Sequence, residues 1–177
     1  MISKMISRMI NASKLNIDTY EEIEADKSAT VQALLVVLIT AIATAIGITW
    51  SPDSQNISSF SFVSYVVTQV VSWVIWAFIT FFVGTKFLKT TETHADWGEL
   101  ARTLGFAQSP NILRIFGFIP FIGTVIFTVT FLWSTYAMVI AVRQALDYQS
   151  TRRAVGVVLI GFIPYIFIMG IIGQLVS

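Results

Sequence analysis

No cysteine occurs among the 177 residues, which excludes a disulfide framework, a thiolate metal site and a thiol nucleophile. Charge is scarce too: Asp, Glu, Lys and Arg make up 12% of the chain, about half of what a soluble domain carries. Eleven Lys and Arg face ten Asp and Glu, so no cationic surplus is left to meet nucleic-acid phosphates. The one histidine, His94, stands in a hydrophilic run with Glu92 and Asp96 and lacks the spaced companions of a metal site. Glycine-rich phosphate loops and nucleophile elbows are missing as well. These absences predict a protein with no catalytic residue, no cofactor and no metal. What remains is apolar, 55% of the residues being hydrophobic and 14% aromatic, and that predicts a membrane protein.

A transmembrane helix needs about 20 mostly apolar residues, and four charge-free intervals are long enough: Ser28 to Pro52, Ser54 to Thr85, Ile115 to Val142 and Ala154 to Ser177. A fifth interval, Thr103 to Leu113, is too short to cross alone. One helix from Asn111 to Val142 would be about 48 Å long, against a hydrocarbon core of about 30 Å. It should therefore break, and Gly117, Pro120 and Gly123 cluster where a tight turn over 118–123 would divide it. The expected architecture is an all-α, five-transmembrane-helix bundle with crossings near 29–50, 60–85, 97–119, 121–143 and 151–176. Residues 1–28 form a short cytosolic amphipathic and acidic segment, and 29–177 the membrane domain.

The cations select the same number of crossings. With five, Lys4, Arg8, Lys14, Lys27, Lys86, Lys89, Arg102, Arg143, Arg152 and Arg153 all fall on one side, and only Arg114 stands apart. The positive-inside rule then sets the N-terminus inside and the C-terminus outside. Four crossings would strand Arg143, Arg152 and Arg153 opposite the rest.

Local patterns add detail. The repeat Met1-Ile-Ser-Lys, Met5-Ile-Ser-Arg, Met9-Ile-Asn-Ala lays Met and Ile along one helical stripe, an interfacial helix with Lys4 and Arg8 toward anionic headgroups. Thr19 and Glu22 have the spacing of a capping box for a helix from Thr19 to Asp26. Small residues on the first crossing (Ala41 with Ala45, Ala43 with Gly47) and on the last (Gly156, Gly161, Gly170, Gly173) offer close helix approach, and Pro164 should kink the last. Trp50 and Tyr65 suit the outer interface, Trp97 and Tyr148 the inner. Thr124, Thr128 and Thr135 give the fourth crossing hydroxyls, which either line a pathway or bond back to their own helix. No Asp or Glu falls inside a crossing, which weakens a proton- or cation-relay transporter.

Two clusters are candidate sites. Arg114, about 7.5 Å below the expected outer turn, either snorkels or forms an ion pair with Asp53 or the terminal carboxylate of Ser177. On the inner side Arg143, Asp147, Arg152 and Arg153 share one loop; Asp147 could tie Arg143 at i+4 and the arginines could hold lipid phosphates or a partner.

The run TYEEIEAD before the first crossing, ELARTLGFAQSPNILRIFGFIP into the third, and AMVIAVRQALDYQSTRRAVGVVLIGFIP from the fourth into the last resemble the prokaryotic members of the Yip family, named for Ypt/Rab GTPase interaction in eukaryotes. The most specific part is Ala141-Val-Arg-Gln-Ala-Leu-Asp147 followed by Thr151-Arg-Arg-Ala154. The resemblance implies a five-helix integral membrane bundle with a cytosolic N-terminus and no catalysis, in a prokaryotic cytoplasmic membrane. With about 28 residues before the first crossing, a Rab-type docking surface is not expected. The function expected is that of a scaffold or membrane organiser binding lipids, a membrane-protein partner or a second copy. An accessory subunit of a larger energy-transducing complex, respiratory or photosynthetic, is the alternative, and a small-solute or ion transporter the third.

Overall fold

The computed structural model describes residues 2–50 and 59–176, and these are helical with no strand. Seven α-helices follow one another among them: α1 Ile2–Ser13, α2 Ile17–Ala25, α3 Ala29–Thr49, α4 Ser59–Phe82, α5 Trp97–Phe106, α6 Ile122–Ala145 and α7 Thr151–Val176. A π-helical turn, Val83–Phe87, prolongs α4, and a 3₁₀ helix, Ser109–Phe118, stands between α5 and α6. Four stretches are long and apolar enough to cross a bilayer, Ala29–Thr49, Phe62–Phe87, Ile122–Ala145 and Thr151–Ile172, and they coincide with the four charge-free intervals.

The distribution of side chains is that of a protein whose solvent is lipid. Val63, Val67, Val71, Val74, Phe78 and Phe82 form an exposed stripe along α4, and Leu159, Ile163, Ile166 and Phe167 are exposed on α7. Small and polar residues are buried between helices instead, among them Ala77, Thr80, Thr40, Thr44 and Ala137. In water, apolar faces of this length would drive association. The threonines inside the helices bond mostly to their own backbone: Thr40, Thr44, Thr80, Thr128 and Thr130 all donate to carbonyls three or four residues earlier. Thr124 and Thr128 are exposed and line neither of the two cavities described below.

The segment read as one helix over 97–119 is two pieces. Proline at 110 has no N–H to continue an α-helical ladder, and its ring would clash with the Phe106 carbonyl. That carbonyl accepts from the Ser109 hydroxyl at 2.6 Å instead, α5 stops at Phe106, and the chain resumes as the 3₁₀ helix. The expected turn over 118–123 is present: Phe121 takes a left-handed φ of 63°, and the Gly123 N–H donates to the Ile119 carbonyl at 2.8 Å. A Cβ at Gly123 would overlap the Gly117 carbonyl, so this hairpin needs its glycine.

The 3₁₀ helix lies against α3, as the small residues of α3 anticipate. A Cβ at Gly47 would run into the Arg114 carbonyl, and one at Gly105 into Ala33. Ala33 precedes Gly47 and Gly105 precedes Arg114, so the α5 and 3₁₀ pair runs alongside α3 in the same direction. On α7, Gly156 meets Leu88 and Gly161 meets Ile79 and Trp76, whereas Gly170 faces open space. Pro164 sits inside α7.

Candidate functional site

Three polar constellations stand out against this apolar frame. The first fastens α1 and α2 to the bundle. Arg8 on α1 is 2% exposed, and its guanidinium donates to Gln32 of α3 at 3.0 Å, Glu22 of α2 at 2.9 Å and Asp26 at 2.6 Å. Lys4 reaches the same carboxylates at 3.0 and 3.5 Å. These cations hold the Glu22 carboxyl below the usual carboxylate range, Lys4 contributing most; at Asp26 hydrogen bonds from Ser28 and then Arg8 do the same. With Met5, Arg8, Met9 and Ala12 turned inward, Ile2, Ile6 and Ile10 form an exposed stripe. Farther along, the Trp133 indole of α6 donates to the Ser13 carbonyl at 2.7 Å.

The second constellation is a polar cleft of about 370 Å³ where α2 meets the α6–α7 loop, lined by Glu21, Glu24, Arg143, Gln144, Asp147 and Tyr148. Arg102 of α5 is buried, and its Nε lies 3.2 Å from the Glu24 carbonyl and 3.3 Å from that of Ile23, covering the orphan carbonyls at the end of α2. Burial, followed by the negative charges of Asp147, Glu99 and Glu21, pushes the Glu24 carboxyl up to about 8, with Arg102 pulling the other way. The Tyr148 hydroxyl lies within reach of two carbonyls, Gly84 at 2.9 Å and Leu88 at 3.0 Å, and so locks the loop onto the π-turn.

The third is a cavity of about 220 Å³ between α4 and α6, with α7 on one side and the 3₁₀ helix on the other. Its polar lining comes from Gln69, Gln108, Asn111 and Arg114, the tryptophan Trp76, and the hydroxyl residues Ser72, Ser134, Thr135 and Tyr165. Arg114 gives its Nε to the Thr130 hydroxyl at 2.9 Å and lays its guanidinium 5.5 Å from the centre of the Phe127 ring. The Trp76 indole nitrogen and the Asn111 side-chain oxygen have no protein partner and are fully enclosed, presenting no surface to the cavity.

The family model of the Yip1 domain matches residues 17–172, from α2 into α7. The chain belongs to the Yip1 domain family. Nothing among curated proteins and nothing among solved structures matches the chain. In this Yip1 domain all of the cavity and all of the polar cleft fall within the matched residues, whereas α1, with Lys4 and Arg8, precedes them.

The sequence-predicted sites in the Yip1 domain are partly regrouped. Arg143 and Asp147 share the polar cleft, yet they form no i+4 pair. Asp147 has a left-handed φ of 52° that takes it off the helix, and Arg143 donates to the Tyr148 carbonyl at 3.2 Å and to the Thr151 hydroxyl at 3.3 Å. Arg152 and Arg153 are exposed at the start of α7 and outside the cleft. Asp53 and Ser177, the proposed partners of Arg114, lie outside the described residues. Lys4 and Arg8, expected to meet anionic headgroups, are paired with Glu22 of α2 and with Asp26 at its C-cap. Thr19 is not an N-cap, because Asn16 caps α2 three residues before the expected start and its side chain accepts from Thr19 N–H. Asp96 caps α5 in a capping box with Glu99, which draws it into local structure beside His94. Tyr148 is buried and does not belong to an interfacial belt.

Sequence reasoning missed the buried Arg8 and the Trp76–Asn111–Arg114 cavity. Only one signal was available for the latter, an arginine inside an apolar stretch with two amide side chains, Gln108 and Asn111, just before it.

Proposed function

We propose that this chain is a non-enzymatic, five-crossing membrane protein, N-terminus inside and C-terminus outside, that organises the membrane around it by seating a rigidly held amphipathic helix in the inner leaflet. A prokaryotic cytoplasmic membrane is the setting. Ten cations on one side support that orientation. For the fifth crossing, α5 and the 3₁₀ helix together reach about 35 Å, from ten residues at about 1.5 Å and ten at about 2.0 Å. That matches the bilayer core, and their course beside α3 supports it.

The observation that carries the functional reading is the Arg8 clamp. An amphipathic helix on a loose tether samples the interface; one bolted through a buried arginine to α2 and α3 keeps a fixed depth. Ile2, Ile6 and Ile10 then form an apolar wedge that adds area to one leaflet only, the physical requirement for bending a bilayer. Trp133, which holds the end of α1, lies eleven residues before Gln144, which meets Glu21, so α1 ends about 16 Å up α6 from that contact. Its stripe is thus at acyl-chain depth on this reading. Lipid is the first partner, and a membrane-protein partner or a second copy would dock beside the same helix.

Reconstitution into vesicles tests this. The wild type should shrink or tubulate them, and a variant with Ile2, Ile6 and Ile10 all changed to Ser should not; equal remodelling by both sinks the proposal. A stoichiometric large partner on gentle purification would instead favour the accessory-subunit reading. The transporter reading has one specific observation in its favour, the polar cavity beside Thr135.

A further inference from the structure

Two of the membrane-length stretches meet end to start at one boundary. Phe62–Phe87 finishes in the π-helical turn, and Thr151–Ile172 opens with the first residue of α7. The Tyr148 hydroxyl, 2.9 Å from the Gly84 carbonyl and 3.0 Å from that of Leu88, pins the residues before α7 to that turn. Farther along α7, a Cβ on Gly156 would stand 3.3 Å from the Leu88 side chain, so the seam continues into the helix. Burial raises the Tyr148 hydroxyl above the ordinary phenol range and the charge of Arg153 pulls it back, so Arg153 lies close to the same hydroxyl.

Both sides of this seam carry cations. Lys86 lies in the π-turn and Lys89 just after it, Arg152 and Arg153 lie in the first turn of α7, and all four are exposed. Among the described residues none of the four forms an ion pair. Other cations are already engaged: Lys4 and Arg8 by Glu22 and Asp26, Arg102 by the carbonyls of α2, and Arg143 by the Tyr148 carbonyl and the Thr151 hydroxyl. Asp147, the carboxylate nearest to the arginines in sequence, lines the polar cleft with Glu24 instead. Lysines and arginines separated by more than 60 residues of chain thus form one uncompensated patch, which the sequence divides between two loops.

The patch also has an apolar margin. Phe87, between the two lysines, is 68% exposed, and Phe82, in edge contact with it at 5.7 Å, is 46% exposed. Cations beside exposed aromatic rings at the end of an apolar span sit where acyl chains give way to headgroups. A soluble anion would meet only the charges. A phospholipid meets both, its phosphate against the cations and its chains against the phenylalanines.

We propose that the π-turn and the first turn of α7 together bind an anionic glycerophospholipid, with Lys86 and Lys89 on one side of its phosphate, Arg152 and Arg153 on the other, and Phe82 and Phe87 against its chains. The site rests on the reading of the protein as one that acts on the inner leaflet by binding lipid, and it gives that reading a headgroup. Contact with anionic lipid, expected of Lys4 and Arg8 from the sequence, passes to this seam, because α2 has claimed those two.

Full-length protein, delipidated in a non-ionic detergent, is titrated with dioctanoyl phosphatidylglycerol, dioctanoyl phosphatidylcholine and inorganic phosphate, and bound molecules are counted by native mass spectrometry. Phosphatidylglycerol should bind saturably and roughly tenfold or more tighter than phosphatidylcholine. Lys89→Gln combined with Arg152→Gln, one cation from each side, should weaken it by roughly tenfold or more. Lys14→Gln combined with Lys27→Gln removes the same charge elsewhere and should leave affinity within about twofold. Raising salt to about 1 M, which shortens the screening length to about 3 Å, should weaken the wild-type complex. Equal affinity for phosphatidylcholine, equal losses in the two double variants, or binding insensitive to salt overturns the proposal. Inorganic phosphate binding as tightly as phosphatidylglycerol overturns the lipid assignment. If the first double variant does not fold, Lys89→Gln and Arg152→Gln decide singly: weakening by each supports the site, and undiminished affinity in both refutes it. The isoleucine variant keeps all four cations and should bind phosphatidylglycerol like the wild type, so failure of the wedge and failure of the site are told apart.

Discussion

Arg8 Nη2 lies 2.6 Å from the Asp26 carboxylate, a contact between the first helix and the entrance to the membrane domain made by a side chain that is 2% exposed. Removing a fully buried ion-pair partner costs about 3–5 kcal/mol, but Glu22 and Asp26 keep part of their hydration, so Arg8→Ala should cost about 2–3 kcal/mol. The loss is local. Limited proteolysis should cut α1 and α2 from the variant while residues from α3 onward stay protected; uniform protection would show that the clamp does not hold α1.

Gly47 and Gly170 provide a matched pair. Gly47→Ala drives a Cβ into the Arg114 backbone carbonyl, which no side-chain rotation relieves, and should destabilise by about 2–3 kcal/mol. Gly170→Ala enters open space and should stabilise α7 by up to about 1 kcal/mol through helix propensity. Thermal unfolding in one detergent compares the two, and equal shifts would contradict the α3 seam.

Glu24 makes stability depend on pH in an unusual direction. Its folded pKa, about 8, is above the ordinary carboxyl value, so the folded state holds a proton that the unfolded chain has released. Stability contributed by this group therefore falls as pH rises from the ordinary carboxyl range through about 8. Glu24→Gln should flatten that fall and raise the melting temperature at pH 8.5 while changing little at pH 5. A wild-type melting temperature that rises over the same interval would disprove the buried, crowded carboxyl.

Tyr148→Phe deletes the hydroxyl that meets the Gly84 and Leu88 carbonyls. The cost should be about 1–2 kcal/mol, as for a buried hydrogen bond whose acceptor is left bare. Hydrogen exchange should rise in Val83–Leu88 and in the 146–150 loop, and not at α3.

How far these features were legible follows from their range along the chain. The four long apolar helices and the Pro120 turn are written in local composition, because lipid punishes charge wherever it falls and a prolyl break acts on its neighbours. The division at Pro110 was equally local but was overlooked in a segment read as one crossing. Arg8 is different in kind. Its partners are 14, 18 and 24 residues away, and a cation in a Met-Ile-Ser repeat reads as surface until α2 folds back over it. The cavity is the least legible, since Trp76, Asn111 and Arg114 come from two elements with no shared periodicity, and only packing reveals that two of them are unpartnered.

The backbone contact between Gly47 and the Arg114 carbonyl also bears on biogenesis. If the chain crosses five times, as proposed, the translocon meets α3 long before it meets the 3₁₀ segment, and that segment, broken from α5 at Pro110 and carrying Arg114, partitions poorly into lipid unaided. It requires a glycine groove already waiting in the bilayer. A lesion at Gly47 would then show itself in cells as inverted topology and rapid degradation of the nascent chain.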